Sequence, residues 1–207
     1  MSIKKAYNSW AETYDSNANK TRDLDQIATQ QILNLYKFDT VLEIGCGTGK
    51  NTVWFAEKAK KVIGIDASEE MLAKAKAKIQ SSKVEFLLAD LKKPWQIEDN
   101  FAELISCNLV LEHFSDLDFI FKQAYKKLKK KGKFFICELH PFKQYTGSQA
   151  RFETPSGIQK VECFTHHTSD FTQNAINNGF KLLQLNEWFD DNDDTKTPRL
   201  ISFVFEK

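Results

Sequence analysis

The run VLEIGCGTGKN, residues 41–51, places Gly45, Gly47 and Gly49 at alternate positions, the first two residues after Glu43. Glycine lets a chain turn sharply and lets a ligand approach the backbone closely. A helix that begins there directs its free N–H groups at the same ligand. The spacing is E-x-G-x-G-x-G, which differs from the G-x-G-x-x-G of dinucleotide sites. A carboxylate just before the first glycine would repel a pyrophosphate but not a ligand bearing an ammonium or sulfonium group. Asp66 ends the next apolar run, KVIGID, and a carboxylate there can accept both hydroxyls of a ribose. Asp90 ends a third run, LLAD, where it can accept a hydrogen bond from an exocyclic amine. A phosphate-binding loop fails on position, because Ile44 stands where a glycine is needed and Asn51 where Ser or Thr is needed.

Four histidines are candidates for proton transfer. His113 follows the fourth apolar run, His140 ends the fifth, and His166 and His167 precede a helix that they could instead cap. In the irregular segment 141–167, Arg151 could pair with a substrate carboxylate, and Tyr145 is a second candidate for substrate contact. No metal site is expected. Cys46, Cys107, Cys137 and Cys163 contain no CxxC pair and read as reduced thiols. The acidic run 190–194 lacks the glycine and the terminal glutamate of a calcium loop, having Thr195 and Ile201 there.

These residues need elements to hold them. Short β-rich runs at 40–46, 61–66, 84–90, 103–110 and 133–139 alternate with helical stretches near 50–59, 68–81 and 116–130. Such alternation predicts a parallel sheet covered on both faces, with the three carboxylates at the carboxyl ends of its strands. Ser68 is placed to cap the helix that starts Glu69-Glu70. Leu117, Ile120, Phe121, Ala124 and Leu128 form the apolar stripe of the helix after the fourth strand. The lysine cluster at 126–133 is expected to end that helix, with Gly132 as its stop. Helices are expected at 3–15 and 23–36, a hairpin at 151–165 turning at Pro155-Ser-Gly157, and a helix at 169–178 closed by Gly179. The final runs, 182–189 and 199–207, are joined too closely for a crossover and should pair antiparallel.

The segments VLEIGCGTG, VIGIDASEEML, LLADL and the stretch 105–136 resemble the class I S-adenosylmethionine-dependent methyltransferases, particularly the ubiquinone and menaquinone group. The resemblance implies an α/β fold, a Rossmann-like three-layer sandwich whose seven-stranded, mostly parallel sheet has its last strand antiparallel. It implies S-adenosylmethionine as cofactor and S-adenosylhomocysteine as its product. Glu43, Gly45, Cys46 and Gly47 would surround the methionine part, with Asn108 and Leu109 beside it. Asp66 would hold the ribose, Ala67 and Met71 would flank the adenine, and Asp90 with Leu91 would meet its amine edge. The opening YNSWAETYD is similar to the family's tyrosine-containing start, which puts Tyr14 over the cofactor. LKKKG departs from the usual Leu-x-Pro-Gly-Gly turn, at a place remote from the cofactor.

The chain has 207 residues, which suits one domain, with 1–39 as a helical cap and 141–167 as an insertion covering the substrate. Lys and Arg total 29 against 28 for Asp and Glu, a net charge of +1 that offers no basic surface for nucleic acid. The DNA-methylating segment [D/N]-P-P-[Y/F] is also absent, since Asn108 leads into Leu-Val-Leu. No apolar run approaches the roughly 18 residues that span a bilayer, and the N-terminus lacks a signal-peptide core. The expectation is a cytoplasmic enzyme, monomer or homodimer, that methylates O or N of a small molecule. Two other readings stay open: an NAD-dependent oxidoreductase with an atypical loop, and a catalytically silent cofactor-binding module that regulates a partner.

Overall fold

The computed structural model describes residues 3–148, 151–154 and 157–207, with 151–154 and 158–160 as backbone only. Five strands run parallel: β1 (Thr40–Ile44), β2 (Lys61–Asp66), β3 (Val84–Leu88), β4 (Ala102–Asn108) and β5 (Leu128–Leu139). Two more, β8 (Lys181–Trp188) and β9 (Leu200–Glu206), complete the sheet in the order β3-β2-β1-β4-β5-β9-β8. The last strand, β9, is antiparallel to both its neighbours, as expected. A separate two-stranded ladder joins β6 (Arg151–Thr154) to β7 (Gly157–Lys160). The expected hairpin is therefore present, although Pro155 and Ser156 of its turn lie outside the described residues.

Alternation along the buried strands divides the core in two. Leu42, Ile44, Ile65, Ile105 and Phe134 face one side, with α5 (Asp118–Lys127) and α7 (Thr168–Asn177). Val41, Val62, Leu104 and Phe135 face the other, with α2 (Lys20–Leu33) and α3 (Lys50–Lys58). This is the three-layer arrangement that a fully apolar parallel sheet requires. No described helix is long and apolar enough to cross a membrane.

Local signals explain most boundaries. The Ser68 side chain accepts the Met71 N–H at 3.2 Å and starts α4 (Glu69–Lys78). Gly179, at φ +83°, follows α7. Helix α2 begins before the expected residue 23, because the Asn19 side chain caps it by accepting the Arg22 N–H at 3.1 Å.

The lysine cluster is a correction. Helix α5 stops at Lys127, and β5 already starts at Leu128. Lys131 takes the left-handed turn at φ +64° within β5, and Gly132 is needed for space: a Cβ there would sit 2.8 Å from the Lys129 carbonyl oxygen. Acids beside the strand hold two of its lysines, Lys129 by Glu103 and Lys133 by Glu206, while Lys127 at the end of α5 pairs with Asp99.

Helix α1 (Ile3–Tyr14) lies against α4 near the carboxyl ends of the strands. Ala6, Trp10 and Ala11 pack on Met71 and Val161. Lys4–Glu69 and Glu12–Lys74 tie the two helices together, and Lys78 holds Asp15 just beyond α1.

Candidate functional site

Chain order reverses beside β1, with β2 and β3 on one side and β4 and β5 on the other. Open α/β sheets bind ligands at such a switch, outside the carboxyl ends of the strands. A cavity of about 590 Å³ occupies that place. Gly45 and Gly47 turn its floor at φ +71° and +54°. The Gly45 and Cys46 N–H groups both donate to the Ile65 carbonyl, at 2.8 and 3.1 Å, which holds the turn against β2. A Cβ on Gly45 would lie 2.2 Å from Val110 Cγ2, whereas one on Gly47 would meet nothing within 4 Å. The first glycine is thus required by packing, and the second leaves room beside the backbone.

Asp66 joins this turn to the next strand end. Its Oδ2 accepts the Gly47 N–H and its Oδ1 accepts the Ser68 N–H, each at 2.8 Å. Burial pushes its carboxyl above the ordinary range, opposed by those N–H bonds. The Ala67 N–H also bonds this carboxylate, which keeps acceptor capacity for a ligand hydroxyl beyond the three backbone bonds. Ala67, Met71, Asp90 and Leu91 also line the cavity, with Tyr14, Asn108 and Leu109.

Asn108 is held from behind. Its Nδ2 donates to Asp25 Oδ1 at 2.6 Å and to Thr29 Oγ1 at 2.8 Å, while its Oδ1 accepts the Ser106 hydroxyl at 2.6 Å. Asp25 also accepts from Asn51 Nδ2 at 2.9 Å, and burial pushes its carboxyl up. Sequence reasoning missed Asp25, and its position on a mostly polar helix gave no signal. Glu138 was likewise missed as a site residue. Its Oε1 accepts the N–H groups of Val110 and Leu111, at 2.9 and 2.8 Å, and so fixes the turn that presents His113. A lone carboxylate inside the apolar run FFICEL was the available hint.

The histidines separate by surroundings. His113 lines the cavity, and its Nδ1 lies 3.1 Å from the Glu162 carbonyl oxygen. A carbonyl only accepts, so Nδ1 carries a proton, and in the neutral ring Nε2 is the bare nitrogen. That Nε2 accepts the Tyr7 hydroxyl at 2.7 Å. Among the described residues, Glu112, His113 and Cys163 present potential metal-ligand atoms within 4.8 Å of one another. His140 lines neither this cavity nor the second one described below. It caps the short helix α6 (Pro141–Tyr145), accepting the Phe142 N–H and donating to Glu187 at 2.9 Å. His166 is buried and donates to the Leu111 and Phe114 carbonyls. His167 is exposed and bonded to the Tyr145 hydroxyl at 2.6 Å; Tyr145, 53% exposed, lies on the outer face of α6.

Glu43 and Cys46 sit behind the cavity wall and not in it. Glu43 accepts the Thr52 hydroxyl, and burial raises its carboxyl to about 8. The Cys46 thiol points toward Gly64, where an added Cβ would be 3.0 Å from Sγ. The Arg151 side chain lies outside the described residues.

A second cavity, of about 510 Å³, adjoins the first and shares Tyr7, Tyr14 and Leu109 with it. Leu109 in that common wall has φ +57°, a conformation costly for a leucine, and its N–H is fixed to the Cys137 carbonyl at 2.9 Å. On the far side of Tyr14 lies the Arg22 guanidinium, 4.0 Å from the ring centre. Sequence reasoning did not single out Arg22.

Comparison with known proteins matches residues 42–136 to a family described as a methyltransferase domain. That stretch is similar to a methyltransferase domain. The chain is 32% identical over 134 residues to malonyl-[acyl-carrier protein] O-methyltransferase of Priestia megaterium, covering 63% of this chain and 48% of that one. It is 34% identical over 103 residues to ubiquinone biosynthesis O-methyltransferase of Pelagibacter ubique, covering 48% and 42%. The chain thus spans about half the length of these curated relatives. Among solved structures, an S-adenosylmethionine-dependent methyltransferase from Mesorhizobium loti superposes with a TM-score of 0.74 at 18% identity, covering 89% of this chain and 98% of that one. A provisional S-adenosylmethionine-dependent methyltransferase from Listeria monocytogenes reaches 0.77 at 25%, covering 90% and 99%. The resemblance to class I methyltransferases and the α/β fold drawn from the sequence both hold. The matched stretch contributes the glycine turn, Asp66, Asp90 and Asn108, while Tyr7 and Tyr14 come from the residues that precede it.

Proposed function

We propose that this chain transfers a methyl group from S-adenosylmethionine to an oxygen of a small-molecule acceptor. The observation that carries the reading is the pair of adjoining cavities, with Tyr7 in their common wall and its hydroxyl bonded to Nε2 of His113 in the first.

The residues present fit the cofactor. The first cavity is of ligand size, its wall offers the carboxylates of Asp66 and Asp90, and the space beside Gly47 is open. Asp66 would accept the ribose hydroxyls, Asp90 and Leu91 would meet the adenine edge between Ala67 and Met71, and Asn108 would face the methionine part. When bound, the cofactor supplies an electrophilic methyl group on a sulfonium, a good leaving group. The protein's tasks are then alignment and exclusion of water, and alignment supplies roughly 7–11 kcal/mol. Tyr7 and Tyr14 present aromatic faces that suit a cation. An acceptor hydroxyl must lose its proton, and His113 Nε2 is the available base once the Tyr7 hydroxyl gives way. A base of this kind is worth about 10²–10⁴-fold.

Oxygen is favoured over nitrogen because the two curated relatives named above are both O-methyltransferases. The test is incubation with S-adenosylmethionine and a panel of phenols, hydroxy acids and amines, with mass spectrometry for S-adenosylhomocysteine and methylated product in equal amounts. Methylated amines alone would move the assignment to nitrogen. Calorimetric binding of NAD with none of either adenosyl ligand would replace the reading by an oxidoreductase. Tight cofactor binding without turnover on any acceptor would replace it by a regulatory module.

A further inference from the structure

Asp15 stands where the helix over the first cavity meets the turn beneath it. It follows α1 directly and precedes the Asn19 cap of α2. Both of its carboxylate oxygens are engaged: Oδ1 accepts the Thr48 hydroxyl and Oδ2 accepts Lys78 Nζ, each at 2.6 Å. Thr48 lies between Gly47 and Gly49 in the glycine turn and is 1% exposed. Lys78 is the last residue of α4. Its neighbour Ile79 packs so closely on the same turn that a Cβ on Gly49 would lie 2.8 Å from Ile79 Cδ1. One side chain thus joins the end of α1, the glycine turn and the end of α4. Partial burial works against the Asp15 carboxylate, yet the Lys78 and Thr48 bonds hold its carboxyl below the ordinary range. The other ties of α1 differ. Lys4–Glu69 and Glu12–Lys74 join exposed side chains, which contribute little. Asn8 Oδ1 accepts the Ser68 hydroxyl at 2.6 Å, at the cap of α4. Of these ties, the one from Asp15 reaches the glycine turn, and it does so by a charged oxygen on a buried hydroxyl, a stronger kind of bond.

We propose that Asp15 is a positioning residue of the methyl-transfer site: through Thr48 it registers α1, and with it the adjacent Tyr14, on the glycine turn beside the cofactor. This rests on the methyl-transfer reading and adds a residue that lines neither cavity. Tyr14 lines both, so a slip of α1 against the turn displaces an aromatic wall of the site. The coupling is reciprocal. A ligand that steadies the turn steadies α1, and a docked α1 tightens the ligand.

Calorimetric titration of S-adenosylhomocysteine into the full chain and its variants tests this, with urea unfolding of each alongside. Thr48→Val, which removes the hydroxyl and keeps the shape, and Asp15→Ala should each weaken binding about fivefold to tenfold. Thr48→Ser keeps a hydroxyl and should bind as the natural chain does. Lys78→Met, which breaks only an exposed pair, should change affinity by less than about twofold. Asp15→Ala combined with Thr48→Val should bind about as the weaker single variant does, because both delete one bond. Equal losses in Thr48→Ser and Thr48→Val, or losses that add in the double variant, overturn the proposal, since Thr48 would then serve packing alone. So does a loss of affinity that merely follows a loss of urea stability. The Asp15 side chain is 44% exposed, so Asp15→Ala serves as the test even where Thr48→Val fails to fold. If the natural chain and Asp15→Ala bind S-adenosylhomocysteine equally, the role of Asp15 falls and the methyl-transfer reading stands. If the natural chain binds none, both fall.

Discussion

At the scale of single residues, buried carboxyls dominate the site. Asp66→Ala should weaken S-adenosylhomocysteine binding by roughly 1.5–3 kcal/mol, the worth of hydrogen bonds to a charged group. Calorimetry on the folded variant checks this, and an unchanged dissociation constant removes Asp66 from the ribose role. Glu43 governs stability instead. Burial holds its folded value at about 8, well above its unfolded value, so the folded state binds the extra proton between the two. Its contribution is fully present below the unfolded value and is lost as pH rises toward about 8. Asp25, Asp66 and Glu138 are shifted in the same direction by burial. Acids shifted downward by ion pairs, such as Asp15 and Asp190, act below the ordinary carboxyl range and leave that window alone. The free protein should therefore lose stability from about pH 5 to pH 8, and Glu43→Gln should flatten the profile, as read by urea unfolding at several pH values. His113→Gln should lower kcat by about 10²–10⁴-fold with little change in cofactor affinity. If kcat is unaffected, the acceptor oxygen arrives already ionised and needs no base.

At the scale of elements, the glycine turn separates packing from access. Gly45→Ala forces a Cβ into Val110 at φ +71° and should destabilise the protein by about 1–3 kcal/mol. Gly47→Ala meets no atom and should cost only about 1–2 kcal/mol of backbone strain, yet it intrudes on the ligand's side and should lower cofactor affinity more than stability. Thermal melts and titrations on both variants test the contrast. This turn was legible in the sequence because its meaning is local: a spacing of glycines between a strand and a helix, then carboxylates at the next two strand ends. Arg22 and Asp25 were not legible, because they acquire a role only when α2 is laid against Tyr14 and Asn108, and nothing in their neighbours announces that. The α5–β5 boundary was misread for a related reason. Lysines at a helix end and lysines paired across a strand look alike until Glu103 and Glu206 are placed beside them.

At the scale of the whole molecule, the sheet and the part of the chain that roofs the site are built separately. Most of the residues with which α1 buries its apolar side are its own together with Met71 and Val161, apart from the two large clusters that hold the sheet. Deleting residues 1–18 should leave a cooperatively unfolding protein that no longer retains S-adenosylhomocysteine, measured by urea denaturation and calorimetry. The fastening of α1 has a kinetic consequence. It is secured to α4 and its surroundings by ion pairs at the surface, Lys4–Glu69, Glu12–Lys74 and Asp15–Lys78. Such pairs weaken as counterions crowd them. The tempo at which spent cofactor is swapped for fresh should therefore quicken with added sodium chloride, and stopped-flow displacement would record it as a faster off-rate. Regeneration of the enzyme between cycles, more than the bond-making step, would then carry the imprint of the surrounding electrolyte.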